Sequence, residues 1–428
     1  MPRTIINCIS LSEWPARAIR SELPRLSPLY LKFFGLFLIA ALLAGQTARK
    51  PAPRKLLVIS IAGLDERFLT EPPSRVKIPN IRRLIRQGLS SSGVIGVVPS
   101  NTWPSEISLV TGQPPSDENT ARTGLWQAAA KSGLKTAAVY WPGTTGADIP
   151  FDFPAFREPA KGQNIPFDEV AKKSSPANLA DRIEKTSAGF EKELWDDTSA
   201  TRAAIYLLRN EKPDLLMVAL TEVDSEQRDT GALSVYSRDM LENDDELIGQ
   251  ILTAAPPDTI VALVSGHGFE NENYIVRPRV LLKQGKKPER AVEVQDGLIG
   301  TSDRGVADRL RKLMTDGHRH GLAREVPMSV VKEKAPALAR WVAAFDTPQN
   351  YVASAEETGP ALGPGTHMGV SGLWPTRPGY RSVFVIAGEG IRAGKLGEID
   401  LLQIAPTLAD ELGVTLPQAK QKGLRSHM

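Results

Sequence analysis

Four polar side chains in this sequence stand where an α/β protein would put its chemistry. In VVPSNTWPSEISLVTGQPP (residues 97–115), Thr102 opens a segment that reads as a helix. A hydroxyl there can use the positive helix N-terminus to hold or attack an anionic phosphoryl group. The plainer role for it is a helix cap. TEVDSEQRDTG carries Asp224 just after the apolar run 215–220, GHGFE carries His267 after 259–265, and GPGTHMGVSG carries His367 in a glycine-rich loop. Singly, each is equally at home as a surface hydrogen-bonding residue. As an ordered set at successive strand ends they offer a hydroxyl, a carboxylate and two imidazoles. A fifth place stands out for what it lacks. LLVISIAGLDE (residues 56–66) reads as a buried strand that turns at Gly63. Ligands bind outside the carboxyl ends of such strands, yet this strand ends on Ala62.

The elements that must bring these groups together alternate along the chain. Strands are expected at 56–61, 136–141, 215–220, 259–265 and 382–387, and helices at 80–87, 125–131, 199–209, 234–253 and 404–412. That rhythm predicts an α/β fold, a mostly parallel central sheet with helices on both faces. Residues 150–198 and 276–360, rich in Pro, Lys and Glu, break the rhythm and read as insertions or a cap over the sheet edge.

The chain has 428 residues, 41% hydrophobic and 24% charged, so most of it should bury a core. A net charge of +3 gives no patch for nucleic acid. The single cysteine, Cys8, excludes an intrachain disulfide. Residues 29–45 form an apolar run preceded by Arg17, Arg20 and Arg25 and exited through small residues, the pattern of an export signal. Its uncharged part, residues 33–45, falls short of the roughly 20 residues of a membrane span. The alternative is an uncleaved N-terminal membrane anchor. Either reading places the remainder outside the cytoplasm, periplasmic, extracellular or anchored facing outward.

Several segments together resemble the alkaline phosphatase superfamily, and within it the type I phosphodiesterase/nucleotide pyrophosphatase family. LLVISIAGL resembles the opening strand, which usually ends S-x-D-G. IPNIRRLIRQG resembles the helix that follows, and PSNTWPSEISLVTGQPP the nucleophile segment. AAVYWPGTTG, SGHGF and GTHMG resemble the vxWPG, SDHGM and GxHG motifs, and VFVIAGEGIRAG with IDLLQIAPTLADELGVTLP the closing strand and helix. The likeness covers 55–275 and 360–417. It leaves 276–359 as an insertion or cap, and 1–50 as signal or anchor plus linker.

The resemblance implies two divalent metals, commonly zinc, and a Thr or Ser nucleophile whose covalent intermediate a metal-activated water releases. One metal is typically held by an Asp, a His four residues later and a distant His; the matching residues here are Asp224, Arg228 and His367. The other is held by the first-strand Asp, the nucleophile and an Asp-His pair; here these are Ala62, Thr102, Gly266 and His267. The family's phosphate-contacting Asn is Ser105. Three of the seven ligand positions therefore carry no ligand atom. Catalytic zinc needs three protein ligands plus water, and a guanidinium stays protonated and cannot coordinate a cation.

The expectation is thus an exported pseudoenzyme or weakly active phosphoesterase that binds a phosphate-ester small molecule, with Arg228 and Ser105 on the anion. Any zinc or other divalent metal would be weakly held or absent. The alternative is an active metal-dependent phosphodiesterase or phosphatase with Thr102 as nucleophile. Its site would be rebuilt by Asp65, Glu106, Glu222, Glu226, Asp229 or Glu270. A phosphoethanolamine-transferase role is weaker, because such relatives keep their ligands and carry several membrane spans. His318 and His320 form an H-x-H pair in a basic, glycine-flanked stretch that reads as a loop; metal binding would need a strand presenting both on one face. His427, at the C-terminus, carries no argument.

Overall fold

The structure is a computed structural model that describes residues 54–115, 123–155, 167–283, 285 and 287–424. The export segment, Cys8, His427 and the His318 side chain lie outside what it describes. Among the described residues, no helix is long and apolar enough to cross a membrane.

Eight strands make the central sheet: β1 (Lys55–Ile61), β2 (Leu89–Ser90), β3 (Thr136–Val139), β4 (Phe151–Phe153), β5 (Leu215–Leu220), β6 (Thr259–Val264), β7 (Phe384–Ala387) and β8 (Gly394–Lys395). Their spatial order is β8-β2-β7-β6-β1-β5-β3-β4. From β6 to β4 all neighbours run parallel, and β7 is antiparallel to β6. β1 lies between β6 and β5, with Leu56 opposite Leu215 and Ser60 opposite Val264.

Helices cover both faces, which is why the central parallel strands are mostly apolar rather than alternating with polar residues. The described helices that matter here are α1 (Pro79–Gln87), α2 (Thr102–Thr111), α3 (Leu125–Lys131), α4 (Asp197–Tyr206), α5 (Glu222–Thr230), α6 (Val235–Ala254) and α7 (Ile404–Leu412). Leu56 and Val58 of β1 pack with Leu109 of α2, Trp126 of α3 and Leu408 of α7. Leu57, Ile59 and Ile61 pack on the other side with Ile81 of α1, Ala203 of α4 and Ile248 of α6. The period of two along β1 thus sorts the molecule into two cores.

Several boundaries differ from the sequence reading, and three of the differences have a tertiary cause. β3 stops at Val139 because Tyr140 turns to φ 51°, a conformation in which its hydroxyl meets Ser199 Oγ at 2.9 Å. Ser382 precedes β7 as an isolated bridge to Asp65 and Val94. Residues 151–153, read as part of an insertion or cap, instead add β4 to the sheet edge. Phe153 joins the second core together with Val170 and Ile183 of the segments that follow. Within 276–359, strands Val292–Gln295, Leu298–Thr301, Arg324–Glu325 and Ala343–Asp346 form a separate four-stranded sheet with its own apolar cluster.

Candidate functional site

The site lies past the carboxyl ends of β1, β5 and β6, where the loops enter α2 and α5. Thr102 is the first helical residue of α2, and the N-cap position belongs to Asn101. The Thr102 hydroxyl therefore does not cap; it lies 3.2 Å from His267 Nε2. His267 follows β6 and is 1% exposed. Its Nδ1 faces the Gly268 carbonyl at 3.0 Å. A carbonyl only accepts, so Nδ1 carries the hydrogen and Nε2 is left as the acceptor for the Thr102 hydroxyl. Burial holds His267 below the usual histidine range, opposed in part by Asp224.

Asp224 sits in the first turn of α5 and joins the same cluster, its Oδ1 3.4 Å from His267 Nε2. One turn later Arg228 folds back on it: Nε donates to Asp224 Oδ2 at 2.8 Å and Nη2 to Oδ1 at 3.3 Å. Both carboxylate oxygens are thereby taken up by the guanidinium fork. Arg228 Nη2 also donates to Ser371 Oγ at 3.0 Å, and its Cζ lies 5.5 Å from the Phe269 ring centre.

β1 reaches this cluster through its backbone. Ala62 is 2% exposed and donates its N–H to Leu220 O, so the position presents only a methyl group. The next residue, Gly63, has φ +72°, and a Cβ there would lie 3.1 Å from Asp224 Cα and 3.2 Å from Asp224 Oδ1. Gln227 Nε2 donates to the Gly63 carbonyl at 2.7 Å, tying α5 to the turn. Ser105 is fully buried in α2, and its Oγ has no hydrogen-bond partner. Gly266 packs so close that an added Cβ would fall 2.4 Å from Ser105 Cβ.

Glu106 is the other acid in this space. Placed one turn beyond Thr102 on α2, it is 1% exposed; Ser60 of β1 donates to its Oε1 at 2.5 Å, and Oε2 is unpartnered. Burial, reinforced by nearby Asp224, pushes its carboxyl up to about 8, so it holds a proton at neutral pH.

The remaining residues singled out in the sequence go elsewhere. His367 is exposed, its Nδ1 facing Thr366 Oγ1 at 3.0 Å and Glu272 Oε2 at 3.5 Å. Asp65 caps the helix Glu66–Thr70 and takes the Arg67 fork at 2.7 and 2.9 Å. Glu222 accepts from the Asp197 N–H, Glu270 pairs with Arg377, and Asp229 faces solvent. Glu222 and Glu226 line a cavity of about 400 Å³ with Asp196, Tyr236 and Asp239; neither Thr102, Asp224, Arg228 nor His267 borders it. Side-chain geometry, rather than the size of that cavity, places the candidate chemistry at the Thr102 cluster. Among the described residues, no group of three or more His, Cys, Asp or Glu side chains is placed to hold a metal ion. His320 meets Asp316 at 3.5 Å in a short 3₁₀ turn, not on a strand. Ser60, Gln227 and Ser371 were missed in the sequence; only Ser60, inside the opening-strand motif, carried a signal.

A family model for type I phosphodiesterase/nucleotide pyrophosphatase matches residues 56–120 and 117–337. No curated protein matches the chain. Among solved structures, murine ectonucleotide pyrophosphatase/phosphodiesterase 5 superposes with a TM-score of 0.58 at 15% identity, covering 88% of this chain and 99% of that one. An inactive form of the murine protein in complex with AMP superposes at 0.55 with 14% identity, covering 85% and 96%. The human protein gives 0.55, 15%, 85% and 96%. At these identities the likeness establishes the fold: an alkaline phosphatase-like α/β architecture with a mostly parallel central sheet.

Proposed function

Because the chain belongs to the type I phosphodiesterase/nucleotide pyrophosphatase family, we propose that it binds a phosphate ester without the family's two-metal hydrolysis. The ester is held at the cluster of Thr102, His267, Asp224 and Arg228, outside the cytoplasm. The observation that carries this reading is the Arg228 fork on both oxygens of Asp224. A guanidinium fixed on a would-be ligand supplies the positive charge a metal would have supplied, and excludes the metal by repulsion.

The donor set does not fit a two-metal centre. Ala62 and Gly266 bring no donor atom, His367 faces Glu272, and Glu106, one of the candidate replacement acids, is turned to Ser60. Arg228 spends Nε and Nη2 on Asp224 and Ser371, which leaves both N–H groups of Nη1 for an incoming anion. The Thr102 hydroxyl lies at the α2 N-terminus, where the helix dipole also favours negative charge. A nucleoside monophosphate is the natural probe, since the inactive murine relative holds AMP. The export-like N-terminus, and the description of the relatives as ectonucleotide enzymes, support a location outside the cytoplasm.

The rival reading, a metal-dependent phosphodiesterase with Thr102 as nucleophile, draws on Glu106, whose Oε2 is buried without a partner. The test is thermal unfolding with AMP, inorganic phosphate or zinc. At about 100 times its Kd a ligand adds about 2.7 kcal/mol. The expected outcome is stabilisation by AMP or phosphate that disappears in Arg228→Ala, and none by zinc. Stabilisation by zinc, or equal AMP shifts in both proteins, would contradict it.

A further inference from the structure

Gly266 does not need to be glycine for its backbone. It is not among the positive-φ residues, so any L-residue can adopt its conformation. What forbids a side chain there is space. The nearest atom to an ideal Cβ at 266 is Ser105 Cβ, 2.4 Å away, with the Ser105 carbonyl carbon at 3.5 Å. Carbon atoms in ordinary contact stand about 3.5–4.0 Å apart. Ser105 Cβ is no flexible tip that can swing aside: Ser105 is fully buried and its N–H closes the first turn of α2 on Asn101 O at 3.1 Å. On the β1 side, Glu106 of the same helix is tied to Ser60, two residues before Ala62.

We infer that α2 closes on the Gly266 loop, so that Ser105 takes the room of any side chain at 266 and the second cation position cannot regain a carboxylate there without moving the helix. The absence of a ligand at 266 is therefore not a single reversible substitution; the helix that carries Thr102 now rests on the gap. The cleft is left with one built-in cationic group, Arg228, and takes one anionic group. This inference rests on the reading of the site as metal-free, but fails or stands separately from it.

The test is a double-mutant cycle on the full chain followed by thermal unfolding. Gly266→Ala lowers Tm by a few degrees, and in a Ser105→Gly background the same substitution costs nothing or raises Tm. An unchanged Tm for Gly266→Ala, or an equal loss in both backgrounds, overturns the inference, because neither requires overlap with Ser105. As a second arm, Ala62→Asp/Arg228→His/Gly266→Asp restores the lost ligand types. After incubation with zinc and desalting, elemental analysis is expected to find fewer than two equivalents per chain. Two equivalents at wild-type Tm overturn the closure. Should the triple variant not fold, the cycle alone decides. Zinc bound by the unaltered protein would instead defeat the metal-free reading and leave the packing result intact.

Discussion

A guanidinium and a divalent metal both neutralise an anion, but they demand opposite things of their neighbours. A metal needs deprotonated donors around it, whereas Arg228 needs only acceptors, and Asp224 already provides two. Glu106 belongs to the same logic, because a buried acid with no cation beside it stays protonated. This has a consequence for stability. Its carboxyl is held near 8 in the folded chain against an ordinary 4.5, so between those values the folded protein keeps a proton that the unfolded chain has released. The stabilisation is complete below about pH 4.5 and is lost as pH rises through about 8. Glu106→Gln removes it, while Asp152 and Asp197, also raised by burial, act alike in both proteins. From pH 5 to 8 the stability difference between wild type and Glu106→Gln should shift toward the variant by up to about 1.4 kcal/mol per pH unit, measured by urea unfolding. Parallel pH profiles would contradict the protonated assignment.

At the scale of elements, the turn after β1 sets the distance between strand and site helix. Gly63, at φ +72°, lets α5 approach so closely that a methyl group would meet Asp224 and Gln227 at about 3.1 Å. Gly63→Ala should therefore cost about 1–3 kcal/mol by urea unfolding, from left-handed strain and crowding together. An unchanged midpoint would mean the turn has slack. Strands β1 and β5 and helices α3 and α7 were legible in the sequence almost to the residue, because buried apolar runs and the surrounding turn residues leave little choice. Boundaries set by tertiary contacts were not. Nothing local marks Tyr140 as left-handed; its hydroxyl bond to Ser199, 59 residues away, does. The short strand Phe151–Phe153 is too brief to announce itself and exists because β3 offers it an edge. In the site, Thr102, Asp224 and His267 could be picked out as an ordered set of polar residues at strand ends. The Arg228 fork and the Ser105 contact are three-dimensional facts, and His367, grouped with Asp224 by motif, turns instead to Glu272.

Across the whole molecule, a buried cation helps fasten the 276–359 region to the site's periphery, beside the Asn350 N–H on Glu270 and Arg324 on the Thr376 carbonyl. Arg377 is 1% exposed and meets Glu270 Oε2 at 3.3 Å, Asp346 Oδ1 at 3.2 Å and the Thr347 carbonyl at 2.8 Å. Arg377→Met would take the ion-pair partner from buried Glu270 and leave Asp346 to Arg324, and should cost about 3–5 kcal/mol by denaturant unfolding; a loss below 1 kcal/mol would mean Glu270 is satisfied without it. The fold is that of a phosphodiesterase family, while the proposed site uses an arginine where the resemblance implies a metal. The most direct test of that claim is the metal content of the full chain, purified without chelator, incubated with excess zinc and desalted, with turnover of a chromogenic phosphodiester followed in parallel. The expected result is well under one zinc per chain and no turnover. One or two equivalents of zinc, with hydrolysis that disappears in Thr102→Ala, would contradict it.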